Sequence, residues 1–195
     1  MSNLEDEEVE FKGITYINHE CDNPQMIADL PDEMRAFYKE INGLVAFNGG
    51  FQIRSCGTSP SWNSLEDIWK GPNALHKTYP NLGEDDIPFA QDCLGDQYVY
   101  RAGSVWQLLT ETGDLDDLEL EFDEFIDEVI VDPIEFLALY PLLEFIESGK
   151  ELKPGELLVP NIPFSVETEE EYTFTKTSVE NRLTSLAEYF KKHTA

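Results

Sequence analysis

Residues 102–149 contain fourteen Asp and Glu and no Lys, Arg or His, and this one-sided charge limits what the chain can fold into. Carboxylates without a counter-ion are costly to bury, so these side chains must lie on the surface. Apolar residues recur among them at short intervals, which lets a strand or helix bury one face and solvate the other. Residues 102–149 are therefore predicted to form amphipathic strands and helices whose apolar faces pack into one core.

The same imbalance extends over the whole chain. Its 195 residues include 13 Lys and Arg against 40 Asp and Glu, a formal net charge of −27. Hydrophobic residues make up 41% and aromatic residues 12%, so the chain can form a core and is not a disordered acidic tail. The length suits one domain with an added terminal segment.

A strongly negative surface selects among partners. Nucleic-acid backbones and anionic lipids are repelled, whereas a basic protein is attracted at long range. The charge leaves two interpretations open: a solvated face that keeps the protein in solution, or a docking surface for a cationic protein. Exposed sheet edges favour a weak homodimer, whereas self-repulsion favours a monomer.

The cellular location and the need for a cofactor can be predicted from three features that the sequence lacks: a membrane span, a basic N-terminal region and a metal-ligand spacing. No apolar run approaches the length of about 18 residues that a membrane span needs, and the first ten residues carry five acids and no base. We therefore expect a cytoplasmic protein without a membrane contact. The cysteines Cys21, Cys56 and Cys93 stand 35 and 37 residues apart, which fits free thiols in a reducing compartment. No metal-ligand spacing is complete, and we expect no cofactor.

Hydrophobic periodicity predicts the main elements. Residues 87–122 contain four short strands joined by tight turns, and from residue 122 the apolar spacing becomes helical. A second helical stretch covers residues 133–147, with a predicted bend or break at Pro141. The last helix is predicted to begin with a capping box formed by Thr177 and Glu180.

Recognisable catalytic motifs do not stand out. The chain has no GxSxG, P-loop, GxGxxG or HExxH sequence, and residues 114–124 lack the central glycine and ligand spacing of an EF-hand. The motifs therefore indicate no particular catalytic class. A metal-dependent hydrolase built on an acidic cluster stays open as an alternative, although paired carboxylates carry little weight in a chain with 40 acids.

One tryptophan is a candidate for a binding contact. Trp62 lies in a loop rich in Gly, Pro and Ser, where an aromatic side chain can act as an exposed interface anchor. Trp69 ends a predicted helix and Trp106 lies within a predicted strand, so we assign both to the core.

A set of short motifs, in order along the chain, resembles the SUKH superfamily of bacterial immunity proteins, fungal cell-wall-synthesis regulators and related eukaryotic proteins. The central piece is residues 87–98, IPFAQDCLGDQY, with an apolar-Pro-Phe strand, an Asp, Gly-Asp and an aromatic strand. The following strand runs into a Thr-Gly turn at residues 112–113, and an acidic strand and amphipathic helix follow over residues 118–130. Upstream, Leu30-Pro31 opens a helix that ends at Asn42-Gly43. The resemblance covers residues 28–140.

The resemblance implies an α+β fold, with a mixed, mostly antiparallel central sheet flanked by helices in a single domain. On this basis residues 1–22 form an acidic N-terminal leader and residues 23–148 the SUKH-like domain. Residues 149–195 form a C-terminal extension that ends in a helix and resembles extensions in some bacterial members.

The resemblance also implies a non-enzymatic immunity protein that binds and neutralises a cognate bacterial toxin of a polymorphic toxin system. Nuclease toxins have basic substrate-binding surfaces, and an acidic protein can occupy them. The alternative is an intracellular regulator or scaffold of the same family with an endogenous partner. For Asp92 and Asp96 a turn-stabilising role competes with partner contact. The candidate partner-binding residues are Trp62, Glu84, Asp85, Asp86, Asp92, Asp114, Asp116, Asp117 and Glu119.

Overall fold

The computed structural model describes residues 11–19 and 21–194, so residues 1–10 and residue 20 of the predicted acidic leader lie outside the described residues. Seven strands form one sheet in chain order, and each neighbouring pair is antiparallel. The predicted α+β class with a single domain is confirmed. The strands are β1 Ile14–Ile17, β2 Leu44–Ala46, β3 Phe51–Ile53, β4 Ile87–Asp92, β5 Gln97–Arg101, β6 Ser104–Leu109 and β7 Asp114–Leu120.

Helices and a small second sheet flank the seven strands. Two strands, β8 Glu156–Pro160 and β9 Phe174–Ser178, pair antiparallel. The helices are α1 Pro24–Asp29, α2 Asp32–Glu40, α3 Leu65–Trp69, α4 Phe122–Val131, α5 Pro133–Phe136, α6 Tyr140–Glu147 and α7 Val179–Thr194. None of these helices has both the length and the apolar character needed to cross a membrane.

One face of the sheet carries an aromatic core. Phe122 and Phe125 project from α4 onto Phe89 of β4, with ring centroids 5.2 and 5.6 Å apart. Tyr98 of β5 packs on Phe125 at 4.9 Å. All four rings are buried, and such edge and tilted contacts add about 0.5–1.5 kcal/mol each beyond the area they bury. The helical spacing from residue 122 is thus explained by packing of α4 on the sheet.

The opposite face is covered by α7 and by residues 75–82. Phe190 of α7 packs against Tyr79 with centroids 4.8 Å apart, over Val99 and Leu108 of the sheet. The C-terminal segment is also hydrogen-bonded to the β4–β5 turn, because the Leu158 N–H donates to the Cys93 carbonyl at 2.7 Å. Strand β8 and helix α7 of the C-terminal segment therefore lie against the sheet and form a second layer on it.

A buried arginine lies within this second layer. Arg54, just after β3, is 1% exposed. Its guanidinium donates to the carbonyl oxygens of Pro88 at 2.9 Å and Ala90 at 3.2 Å, and to Oε1 of Gln91 and Gln97 at 2.6 Å each. Burial lowers the pKa of Arg54 to about 10, so it is still charged near neutral pH. Neutral acceptors from β4 and β5 thus hold a buried cation.

Two local expectations from the sequence are wrong. Ser178, and not Thr177, caps α7, because its Oγ accepts from the Asn181 N–H at 3.3 Å. The Glu180 carboxylate accepts from Ser61 Oγ at 3.0 Å instead of closing a capping box. Pro141 lies in the first turn of α6, where its missing N–H has no partner to lose, and the helix break precedes it at residues 137–139.

A substitution at Gly113 tests whether α7 packs on the sheet through Phe190. Its φ is +77°, and a Cβ there would overlap the Phe190 ring, whereas Gly103 has φ +95° with open space around it. Ala at either position costs about 1 kcal/mol in backbone strain. We expect Gly113→Ala to lose about 1–3 kcal/mol more than Gly103→Ala, from overpacking against α7. Urea unfolding of both variants measures the difference, and equal losses would show that α7 is not held there.

Candidate partner-binding surface

Strand β7 is an edge of the sheet, and it presents four of the eight predicted acidic residues. Asp114, Asp116, Asp117 and Glu119 are exposed, while the Leu residues between them are half-buried. An open strand edge invites pairing with another chain, and charged side chains along it oppose this. The acids therefore protect the edge and at the same time form a negatively charged surface.

Asp117 also has a structural role in this strand. The register of β6 and β7 shifts at a bulge, where Glu119 has φ +57°. Asp117 Oδ1 accepts from Ser104 Oγ at 2.6 Å and from the Glu119 N–H at 2.9 Å. These hydrogen bonds, first that from Ser104, lower the pKa of Asp117. Asp117 thus holds the bulge, whereas Asp114, Asp116 and Glu119 project from the strand.

Helix α4 continues the acidic surface beyond β7. Glu121 and Glu124 form a capping box at its start, where negative charge suits the helix dipole. Its last turn contains Asp127 and Glu128 and no basic residue, an arrangement that the dipole disfavours. Both are exposed. Helix stability therefore does not explain the acids at this end of α4.

The predicted acidic trio at residues 84–86 divides into two roles. Glu84 and Asp85 are exposed, but Asp86 accepts from Nε of Arg101 at 2.9 Å and also from its Nη2. This pairing raises the pKa of Arg101. The start of β4 and the end of β7 lie at the same end of the sheet, about 14 Å apart across three strand spacings. The structure thus brings Glu84 and Asp85 to the same sheet end as Asp117.

Asp92 lies at the opposite end of the sheet and is buried, 4% exposed. Its Oδ1 accepts from the N–H groups of Leu94, Gly95 and Asp96 at 2.8, 2.9 and 3.0 Å. Burial, and next the Asp96 carboxylate, raise the pKa of Asp92 to about 8. Asp92 therefore shapes the β4–β5 turn from inside, and its side chain is not presented to a partner.

Trp62 is half-buried at a junction of three segments. Its ring packs on Tyr16 of β1 with centroids 5.3 Å apart, and a Cβ at Gly155 would lie 3.2 Å from the indole. It also lines a groove of about 420 Å³ between residues 61–79 and α7. The indole thus joins β1 to the C-terminal segment, so only part of it faces solvent.

Over residues 11–19 and 21–194, no group of three or more His, Cys, Asp or Glu side chains is placed to hold a metal ion. Cys56 and Cys93 are buried free thiols, and Cys21 is half-buried. Burial raises the pKa of Cys56 to about 12, which leaves little reactive thiolate near neutral pH.

The far end of α4 has exposed apolar residues that are not among the predicted site residues. Ile130 and Val131 are exposed there, and Tyr140 at the start of α6 is exposed as well. A helical projection would have shown the first two outside the buried stripe of Phe122, Phe125 and Val129. The exposure of Tyr140 depends on how α5 and α6 turn, which periodicity does not show.

Comparison with known proteins gives no match to a family model, to a curated protein or to a solved structure.

Asp92 makes stability depend on pH. In the unfolded chain its carboxyl titrates near about 3.9, and in the folded protein its pKa is about 8. Between these values the folded state keeps a proton that the unfolded state has lost, so stability falls as pH rises through this window. We expect the wild type to lose up to about 1.4 kcal/mol per pH unit relative to Asp92→Asn.

The Asn variant keeps an oxygen for the three N–H donors but has no titratable proton. Denaturant unfolding between pH 4 and pH 8 measures the effect, with the exposed Asp116→Asn as the matched control. Parallel stability profiles of the wild type and Asp92→Asn would contradict it.

Proposed function

We propose that this protein is a non-enzymatic immunity protein that binds a basic, nuclease-type bacterial toxin domain and occludes it. The observation that carries the proposal is the continuous acidic surface of β7 and the outward side of α4, which contains no basic residue. A nuclease binds phosphates through a positive surface, so such a surface attracts this one at long range. Occlusion requires no catalytic group on the protein.

The placement of the acids supports tight binding. They project from a strand and a helix that are packed on the sheet, through Leu115, Leu118 and Leu120 in β7 and the buried side of α4. Carboxylates on rigid elements lose less freedom on association than carboxylates on a mobile loop. The acidic surface is therefore preorganised for binding.

We also propose that the chain is a member of the SUKH superfamily in the cytoplasm. The central motif pieces quoted for the resemblance lie on the four adjacent strands β4 to β7, while the helical pieces correspond to α2 and α4. Residues 87–89 begin β4, Gly95 and Asp96 form the β4–β5 turn, and the Thr-Gly pair at residues 112–113 forms the β6–β7 turn. Their common location in the sheet supports the view that they form one structural unit.

Coexpression tests the function directly. The toxin domain encoded beside this gene is expressed in a sensitive host with and without this protein. We expect growth to be rescued and the two proteins to elute from a sizing column as a 1:1 complex. Unchanged toxicity together with no complex at low salt would contradict immunity and favour an endogenous partner with a regulatory role.

Charge reversal on β7 tests the surface. We expect Asp114→Lys, Asp116→Lys and Glu119→Lys together to slow association with the toxin domain about tenfold or more at low salt, and less at high salt. Asp117 is left unchanged because it holds the bulge. Stopped-flow association rates at several salt concentrations measure the effect.

The matched control reverses Glu167, Glu169 and Glu170, which are exposed in the loop before β9. It changes the net charge by the same amount and should slow association less. Equal slowing by both triple variants would show that total charge, and not the β7 surface, steers the encounter.

A further inference from the structure

Three large apolar side chains are exposed within residues 130–140, where α4 ends and α6 begins. Ile130 is 65% exposed, Val131 79% and Tyr140 47%. Tyr140 Oη donates to the Glu135 carboxylate, and Glu135 in turn donates its N–H to Asp132 Oδ1 at 3.2 Å. Asp132 directly follows Val131, so this hydrogen-bonded chain joins Tyr140 to the end of α4. Ile130, Val131 and Tyr140, which this path of hydrogen bonds connects along residues 130–140, are called here the apolar cluster.

The fold does not need the apolar cluster. Phe122, Phe125 and Val129 make the buried stripe of α4, and Ile130 and Val131 lie outside it. Single exposed apolar residues are ordinary, but consecutive β-branched residues on a helix surface are poor helix formers as well as poorly solvated. Their place on the surface is therefore unexplained by folding and points to contact with a partner.

The exposed charged residues that flank the apolar cluster along the chain, called here its rim, are all acidic. Exposed carboxylates flank it along the chain, and residues 102–149 contain no basic side chain. The exposed acids nearest in sequence are Asp127, Glu128, Asp132 and Glu135. The hydrogen bond from Tyr140 to Glu135 fixes the ring, so its contact area is available without further ordering.

This charge pattern decides which partner fits. A second copy of the chain would bring two acidic rims together across a symmetric interface, which is repulsive. An anionic membrane or a nucleic acid meets the same repulsion. A basic protein surface with an apolar centre is attracted by the rim and buries Ile130, Val131 and Tyr140.

We propose that the apolar cluster is the anchor for the apolar centre of a basic partner surface, which rests on the proposed function and adds the binding contact to it. The end of α4 lies about 15 Å along the helix from the end of β7. One interface of ordinary size, about 800 Å² on each side, covers both regions. The β7 acids then accelerate the encounter, and the apolar cluster sets the lifetime of the complex.

Paired variants test this with the toxin domain. Ile130→Ala with Val131→Ala should raise the dissociation rate about tenfold and change the association rate by less than about twofold. Phe164→Ala with Val166→Ala, at two other exposed apolar residues, is the control and should change neither rate. If the wild type binds but the Ile130/Val131 variant dissociates at the wild-type rate, the apolar cluster is not the anchor, while the proposed function stands.

A synthetic probe tests the apolar cluster even if the toxin domain does not bind and the proposed function fails. The probe is a short helical peptide with Leu on one face and Lys on the other, compared with a peptide in which Ser replaces each Leu. We expect the Leu peptide to bind about tenfold more tightly and to shift the methyl resonances of Ile130 and Val131. Equal affinity of both peptides, or shifts confined to β7, would overturn the proposal.

Discussion

The buried guanidinium of Arg54 is the interaction on which the centre of the molecule depends. It lies after β3 and holds neutral acceptors on β4 and β5, including the side chains of Gln91 and Gln97. Gln91 extends the layer to Gln52 at 3.1 Å, and Gln52 donates to the Glu156 carbonyl of β8 at 3.3 Å. A charge in such a place is tolerated only while its donors are satisfied. These hydrogen bonds therefore fix the positions of β3, β4 and β5 relative to one another and to β8 in the second layer.

Acidic residues in this protein divide into those that build the fold and those that are free to act. Asp86 holds Arg101, Asp92 holds its own turn, and Asp117 holds the β7 bulge. Asp114, Asp116 and Glu119 project from β7, and their side chains do not hold a turn, a bulge or an arginine in this way. A partner can engage the second group without disturbing the first, because the two groups use different contacts.

Local patterns predicted the four strands β4 to β7 and helix α4, because alternating and helical spacing of apolar residues can be recognised within a few consecutive residues. The acidic surface of β7 was predictable for the same reason. The burial of Asp92 and of the inner side of Trp62 was not, since both depend on chain segments far apart in sequence. Trp62 meets Gly155 only because the C-terminal segment folds back over β1 and the sheet. The predicted cap of the last helix was wrong by one residue, because Ser178 caps α7 in place of Thr177. The predicted helix break was wrong by a few residues, because the chain turns at residues 137–139, before Pro141.

The end of α4 has a consequence for how binding and folding are linked. Its final turn contains no basic residue, so no side chain of that turn balances the negative end of the helix dipole. A Lys or Arg brought by a partner would act as the missing C-terminal counter-charge of the helix. Complex formation would then tighten the last turn of α4 as well as cover its apolar residues, and the free energy of binding would appear partly as stability of that helix.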